Sequence, residues 1–343
     1  MKDRSCFMRG SLPGWGAALA LAACQYLHGG QAGAGSAAGV QITQQNGALR
    51  VEVGGQLFTV YHFTDVPRPY FYPVLGPDES PMTRKWPLEA STDEEHDHPH
   101  HRGLWYAHSS VNGLDFWTEK TNSCKIVHDG FVRIQSGKDY GLIKSTDKWI
   151  THDGAIVCTD VRTMRIYNLP GEERMFDFDI TLQAPPDKPV VFGDDKDGTI
   201  ATRLAETMRL KHNKTEPGQG HIVLSTGFRD EDTWGKRADW CYYYGPVSGG
   251  TNGLETLGVA IFDHPDNPRH PTFWHVRDYG LFAANPFGRH DFEKTPKGAG
   301  DMAVAAGQSV TFRYRFYYHR GDEKQAQAAE HYQKYATEKL PAD

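Results

Sequence analysis

A chain of 343 residues with a formal net charge of -6 has room for two average domains or one large all-β domain. With no clustered stripe of lysine and arginine, the sequence excludes the usual phosphate-tracking surface of a nucleic-acid-binding protein. Aromatic residues make up 12% of the chain, many beside Asp, Asn, Arg or His, a mixture found both on sugar-stacking surfaces and in β-sandwich cores, and 36 glycines with 20 prolines fit many turns rather than long helices.

The first 39 residues read as a signal peptide and tether. Lys2, Arg4 and Arg9 precede an apolar run from Trp15 to Leu27 that is too short for a comfortable membrane span. The mature protein is therefore expected to be exported, to the periplasm or the envelope of a bacterium. Leu21-Ala22-Ala23-Cys24 has the form of a lipoprotein signal, in which Cys24 is lipidated; cleavage after Ala32-Gly33-Ala34 is the alternative. A lipid on Cys24 is the one membrane link foreseen. Cys124, Cys158 and Cys241 follow, without metal-type Cys-x-x-Cys spacing, so at most one disulfide can form.

A single β-sandwich domain is expected over residues 40–343. Val40 to Thr43 and Leu49 to Val53 alternate apolar and polar residues on either side of Asn46-Gly47, a strong hairpin signal. Gly54-Gly55 makes the next turn, and Leu57 to Phe63 is a third strand. Prolines 67, 69, 73 and 77 argue against a central strand there, leaving an extended connection with Arg68, Tyr70 and Tyr72 as pocket walls.

Next comes the densest reactive stretch, with five histidines between His96 and His108. On an extended backbone His96, His98 and His100 share one face and His101 takes the other. Such spacing suits either a metal site of His96, His98 and His100, or an acid and a base over one substrate. Arg102 adds a forked cation, which favours polar substrate groups and weakens a divalent metal site. Acid–base use without a cofactor is therefore the expectation, with a metal as the other possibility.

Further strands follow at spacings of roughly ten residues, among them Ile156 to Tyr167, Met175 to Ala184, Ile200 to Leu210 and Val310 to Tyr318. Together they predict a large antiparallel β-sandwich, with the supersandwich of sugar mutarotases as one form of it. A closing α-helix is expected over 322–339, with Asp322 as cap and a packed tyrosine stripe.

Three later stretches carry similar chemistry: Thr233 to Tyr243, Arg269 to Arg277 and Gly280 to Asp291. No Gly-x-Ser-x-Gly or Gly-x-Gly-x-x-Gly motif is present, which removes serine-hydrolase and dinucleotide chemistry. The expected catalytic set is His98, His100, His101, Arg102, His275 and Arg277. Ligand contacts are expected from Arg68, Tyr72, Trp105, His108, Asn112, Asp115, Trp117, Trp234, Trp274 and Asn285. The ligand expected is a carbohydrate, acted on by hydrolysis, elimination or epimerisation; a sugar-binding lipoprotein without catalysis is the alternative. Phe71-Tyr72-Pro73-Val74-Leu75-Gly76-Pro77, the run from His98 to Trp105, Val111 to Trp117 and Tyr279 to Phe287 resemble the methane oxygenase PmoA-like family of exported bacterial proteins. That resemblance implies an association with polysaccharide-degrading bacteria, and by its label a metal-dependent oxidase.

Overall fold

Period-two alternation runs through most of the chain, and strands dominate its structure. The computed structural model describes residues 39–120, 123–212, 216–249 and 253–339. The leader and Cys24 lie outside the described residues. The strands in chain order are β1 (Val40–Gln45), β2 (Ala48–Val53), β3 (Gln56–His62), β4 (Tyr70–Val74), β5 (Leu104–His108), β6 (Lys125–Gln135), β7 (Tyr140–Ile150), β8 (Ile156–Tyr167) and β9 (Glu173–Gln183). They continue with β10 (Val190–Phe192), β11 (Gly198–Arg203), β12 (His221–Leu224), β13 (Trp240–Gly249), β14 (Gly253–Asp263), β15 (Phe273–Val276), β16 (Leu281–Asn285), β17 (Met302–Val304) and β18 (Ser309–Arg320).

One sheet has the order β1-β2-β3-β4-β5-β11-β16-β15 and the other β12-β13-β14-β18-β9-β8-β7-β6, while β10 and β17 pair separately. All the pairings within the two large sheets are antiparallel. Their inner faces share one apolar core. Across it Tyr106 of β5 meets Trp149 of β7 and Phe178 of β9, and Phe58 of β3 and Phe71 of β4 meet Phe176 of β9. The expected antiparallel sandwich is formed.

The first hairpin turns at Asn46-Gly47, both with positive φ (47° and 74°), as a two-residue turn between these strands requires. The proline-rich segment departs from expectation. Tyr70–Val74 is a strand, and it lies inside the sheet between β3 and β5. Pro73 is tolerated because the ladder breaks around it: pairing to β3 shifts register between Thr59 and Tyr61, and pairing to β5 covers only Tyr70 and Phe71. The missing N–H falls where no ladder bond is required.

The closing helix is α1 (Ala328–Thr337), which begins five residues later than a cap at Asp322 suggests. Asp322 does accept hydrogen bonds from the backbone of Lys324 and Gln325. Gln327 then adopts a left-handed φ of 48°, which ends that turn before the helix starts. Tyr332 and Tyr335 pack on Phe262 of β14, so the tyrosine stripe is core. Cys124, Cys158 and Cys241 are free thiols.

Candidate functional site

Residues directly opposite in an antiparallel ladder project from the same face. Trp105 opposes Ala201, Ala201 opposes Ala283, and Ala283 opposes His275. Since Tyr106 points inward to Trp149 and Phe178, its neighbour Trp105 points outward. The row from Trp105 to His275 therefore lies on the outer face of the first sheet. Arg203, two residues beyond Ala201, stands on the same face.

The histidine segment covers this face as a loop. His98 has φ 44°, and the His101 N–H donates to the His98 carbonyl at 3.0 Å, closing a turn. Gly103 then takes φ +55° where a Cβ would meet the Phe71 carbonyl oxygen at 2.1 Å, so only glycine lets the loop enter β5. The shared face expected of His96, His98 and His100 is not formed, because the backbone is not extended there. His96 stacks on Trp86 at 4.9 Å and bonds the Ser91 carbonyl, apart from the other three rings. Among the described residues no three His, Cys, Asp or Glu side chains converge in a metal-holding group.

His98, His100 and His101 do cluster. His98 lies flat on His101 at 4.7 Å and on Tyr279 at 5.1 Å, and His100 meets His101 edge-on at 4.5 Å. His101 in turn stacks on Trp105 at 5.2 Å. Asp97 organises the charges around them. Its Oδ1 accepts from Arg203 Nη2 at 2.7 Å and from Arg84, and its Oδ2 accepts from His98 Nδ1 at 2.7 Å. Burial alone raises the Asp97 carboxyl, but the His98 hydrogen bond and the two arginines outweigh it and hold the group well below the usual carboxylate range.

Beneath this layer the imidazoles are neutral. Arg203 Nη1 donates to His101 Nδ1 at 3.1 Å, and a guanidinium cannot accept, so the proton of His101 sits on Nε2. Burial, then the Arg203 charge, pushes His101 far below the ordinary imidazole value. His100 is pushed down to about 3 by burial and then by Arg68, and His275 to about 3 by burial and then by Arg277. His98 is the exposed member, with 40% of its side chain open to solvent.

A cleft of about 300 Å³ opens beside His98, bordered by Glu95, Asp97, Arg209, Arg277 and Tyr279. It adjoins a hollow of about 230 Å³ that reaches Trp234, and both share Lys211, Arg277 and Asp278. Arg277 lies 5.7 Å from the Trp234 ring and 5.5 Å from that of Tyr279. Two buried nitrogens here, Trp234 Nε1 and His275 Nδ1, have no hydrogen-bond partner among the described residues.

Of the expected site residues, His98 and Arg277 line this cleft and Trp234 the adjoining hollow, and His100, His101 and His275 lie close behind. The others do not. Arg102 is spent on Glu119, gripped through Nε and Nη2 at 2.9 and 2.7 Å. Arg68 is buried, bonding the His100 and Phe116 carbonyls and Glu119. Trp105, Trp117 and Trp274 are at most 2% exposed and offer no stacking face; Trp274 Nε1 is bound to the Ala238 carbonyl. Tyr72 is buried as well. His108 bonds the Gly193 carbonyl, and Asn285 bonds the carbonyls of Asp195 and Lys196. Asn112 and Asp115 hold turns, through Val191 N–H and through Trp117 and Thr118 N–H. For Arg68, His108, Asn112, Asp115 and Asn285 these are structural bonds where a ligand contact was expected.

Sequence reasoning missed Tyr279, Arg203 and Arg84. Tyr279 lies between two runs singled out for their histidines. Arg203 closes a strand whose alternation in the sequence runs on to Leu210, and only its pairing with Leu281 shows which face it takes.

Three solved structures align with this chain at low similarity. A polysaccharide lyase aligns at 11% identity and TM-score 0.32, over 83% of this chain but 33% of its own length, so the chain spans a third of that protein. A galactose mutarotase related enzyme from Lactobacillus acidophilus aligns at 11% identity and TM-score 0.26, over 82% of this chain and 97% of that one. A protein assigned as an aldose 1-epimerase from Klebsiella pneumoniae aligns at 12% identity and TM-score 0.35, over 87% of each. No curated protein matches the sequence. The expected membership of the PmoA-like oxygenase family is overturned by the family comparison, which identifies a different group over residues 48–333, so the label that suggested an oxidase does not apply. The chain belongs to DUF6807, a family of unknown function.

Proposed function

We propose that the protein is an exported enzyme that acts on a carbohydrate by acid–base catalysis at His98. One observation carries this reading: His98 is the solvent-reaching ring of the cluster, and its Nδ1 is held by an ionised carboxylate, Asp97, at the mouth of a polar cleft. Anchoring Nδ1 directs Nε2 to the ligand side and fixes the tautomer. Arg84 and Arg203 behind Asp97 keep it charged, so the orienting group persists when His98 takes up a proton. His101 and His100 then serve as a neutral packed bed under the working ring rather than as the acid and base themselves. The burial of Trp105, Trp117 and Trp274 speaks against a non-catalytic binding module, which needs an open aromatic strip. Export rests on the basic and apolar leader and on the Leu21-Ala22-Ala23-Cys24 motif.

The test is His98→Gln assayed with a panel of oligosaccharides. Turnover should fall by about 10²–10⁴-fold while the melting temperature stays near that of the parent. An unchanged rate in this variant would remove His98 from the mechanism. Mass spectrometry of protein from the native host checks export; mature material that retains Met1 refutes it.

A further inference from the structure

We propose that the carbohydrate carries a carboxylate, which sits on Arg277, and that the reaction is elimination across C4 and C5 of a uronic acid residue. This deepens, and rests on, the assignment of His98 as the proton acceptor. The other cations that line the cleft, and the two arginines behind Asp97, already have carboxylates. Arg84 and Arg203 share Asp97, Arg209 pairs with Glu95 and Glu206, and Lys211 pairs with Glu231. Arg277 makes no ion pair among the described residues; its guanidinium rests between the Trp234 and Tyr279 rings. A half-buried guanidinium held against aromatic faces, with its forked donors unused, is matched by a planar carboxylate. Trp234 Nε1, buried and without an acceptor, supplies a further donor beside it in the same hollow. A neutral sugar ring answers neither the charge nor the fork.

The chemistry follows from what stands around that carboxylate. Pairing with Arg277 stabilises the negative charge that develops on the carboxyl group as the C5 proton leaves. Nε2 of His98 takes that proton, the electron pair left behind becomes the C4–C5 double bond, and the bond from C4 to the glycosidic oxygen breaks. The departing oxygen takes the phenolic proton of Tyr279, which stacks on His98, and the imidazolium then returns its proton to the phenolate. Burial, opposed by Arg203 and Arg277, pushes the Tyr279 phenol up to about 12, so it still holds its proton at neutral pH and can give it to an alkoxide.

Polygalacturonate, polymannuronate and polyglucuronate, each linked through C4, and the carboxyl-reduced form of each test this directly. The readout is the ultraviolet absorbance of the unsaturated product. The intact protein should release unsaturated ends from at least one polyuronate and none from the reduced polymers. Arg277→Gln should lower kcat/KM by about 100-fold without a loss of melting temperature, and Arg277→Lys should recover part of the rate. Cleavage of the reduced polymers, with no unsaturated ends and no effect of Arg277→Gln, overturns this inference and leaves the His98 reading standing. Elimination that survives His98→Gln overturns the chemistry assigned to both residues. No cleavage of any of the six polymers overturns the uronate assignment, whereas the oligosaccharide panel decides the broader reading separately.

Discussion

Two charged clusters in this protein use the same residue types in opposite proportions. At the cleft one carboxylate, Asp97, lies between two arginines, Arg84 and Arg203, and orients an exposed histidine. Between the sheets one arginine, Arg162, serves two carboxylates. Asp147 of β7 and Asp160 of β8 stand directly opposite each other, a like-charge pair that is unfavourable unless bridged. Arg162 Nε lies 3.1 Å from Asp147 and 3.0 Å from Asp160, and Trp149 Nε1 donates to Asp160 at 2.7 Å. All three charged groups are at most 1% exposed. Excess positive charge near solvent holds one carboxyl low, whereas burial beside a second carboxylate raises the other. Burial above all, against the pull of Arg162, pushes the Asp160 carboxyl up to about 7.

The largest expected effect breaks the inner cluster. Arg162→Met removes the guanidinium from two buried carboxyls, leaving only the His128 imidazole 3.4 Å from Asp147, and should cost about 3–5 kcal/mol of stability, read by chemical denaturation. A loss under about 1 kcal/mol would mean that both carboxyls are neutral in the folded protein.

At the cleft the corresponding change is Asp97→Asn. It keeps the shape but removes the charge that orients His98, so kcat/KM should fall on the order of 100-fold with little loss of fold. A stability loss as large as that of Arg162→Met, with activity kept, would make the two clusters alike.

Their pH dependences should have opposite signs. Asp160 binds its proton more tightly folded than unfolded, so its contribution to stability is full below about pH 4 and is lost as the pH rises toward about 7. Asp97 is depressed in the fold, so its contribution is present above about pH 4 and is lost as the pH falls below that. Melting temperature against pH for Asp160→Asn and Asp97→Asn checks both. The first variant should flatten the decline between about pH 4 and 7, and the second should soften the acid limb.

The smallest effect is expected at His96. It is stacked on Trp86 away from the cluster, so His96→Ala should change stability by under about 1 kcal/mol and leave turnover intact. A marked loss of activity would restore it to the working set.

Much of the sheet architecture was legible in advance. Ile156–Tyr167 is a strand with the bounds its alternation suggested, and Asn46-Gly47 turns the first hairpin. The two strands that complete the site, β15 and β16, were not recognised. Their residues are almost all buried, as Phe273–Val276 shows, so the polar half of the alternation signal is missing. The histidine segment misleads for the opposite reason: its alternation suggests a strand but belongs to a loop, and the left-handed turn at His98 has no composition of its own.

Local rules operating over a few residues therefore determined the two-sheet character, the hairpin, the packed tyrosine stripe of the last helix and the place in the chain where chemistry concentrates. Tertiary structure alone decided which side chains reach the cleft. Trp105, Trp117 and Trp274 carry the residue type of a sugar platform, yet packing buries them; Arg102 has the right fork, yet Glu119 occupies it. Asp97 and Arg203 are 106 positions apart, as the hydrogen bond between them records, and meet only because β11 pairs beside β5. Exposure and charge balance depend on neighbours distant in the chain, and spacing along the sequence carries no record of them.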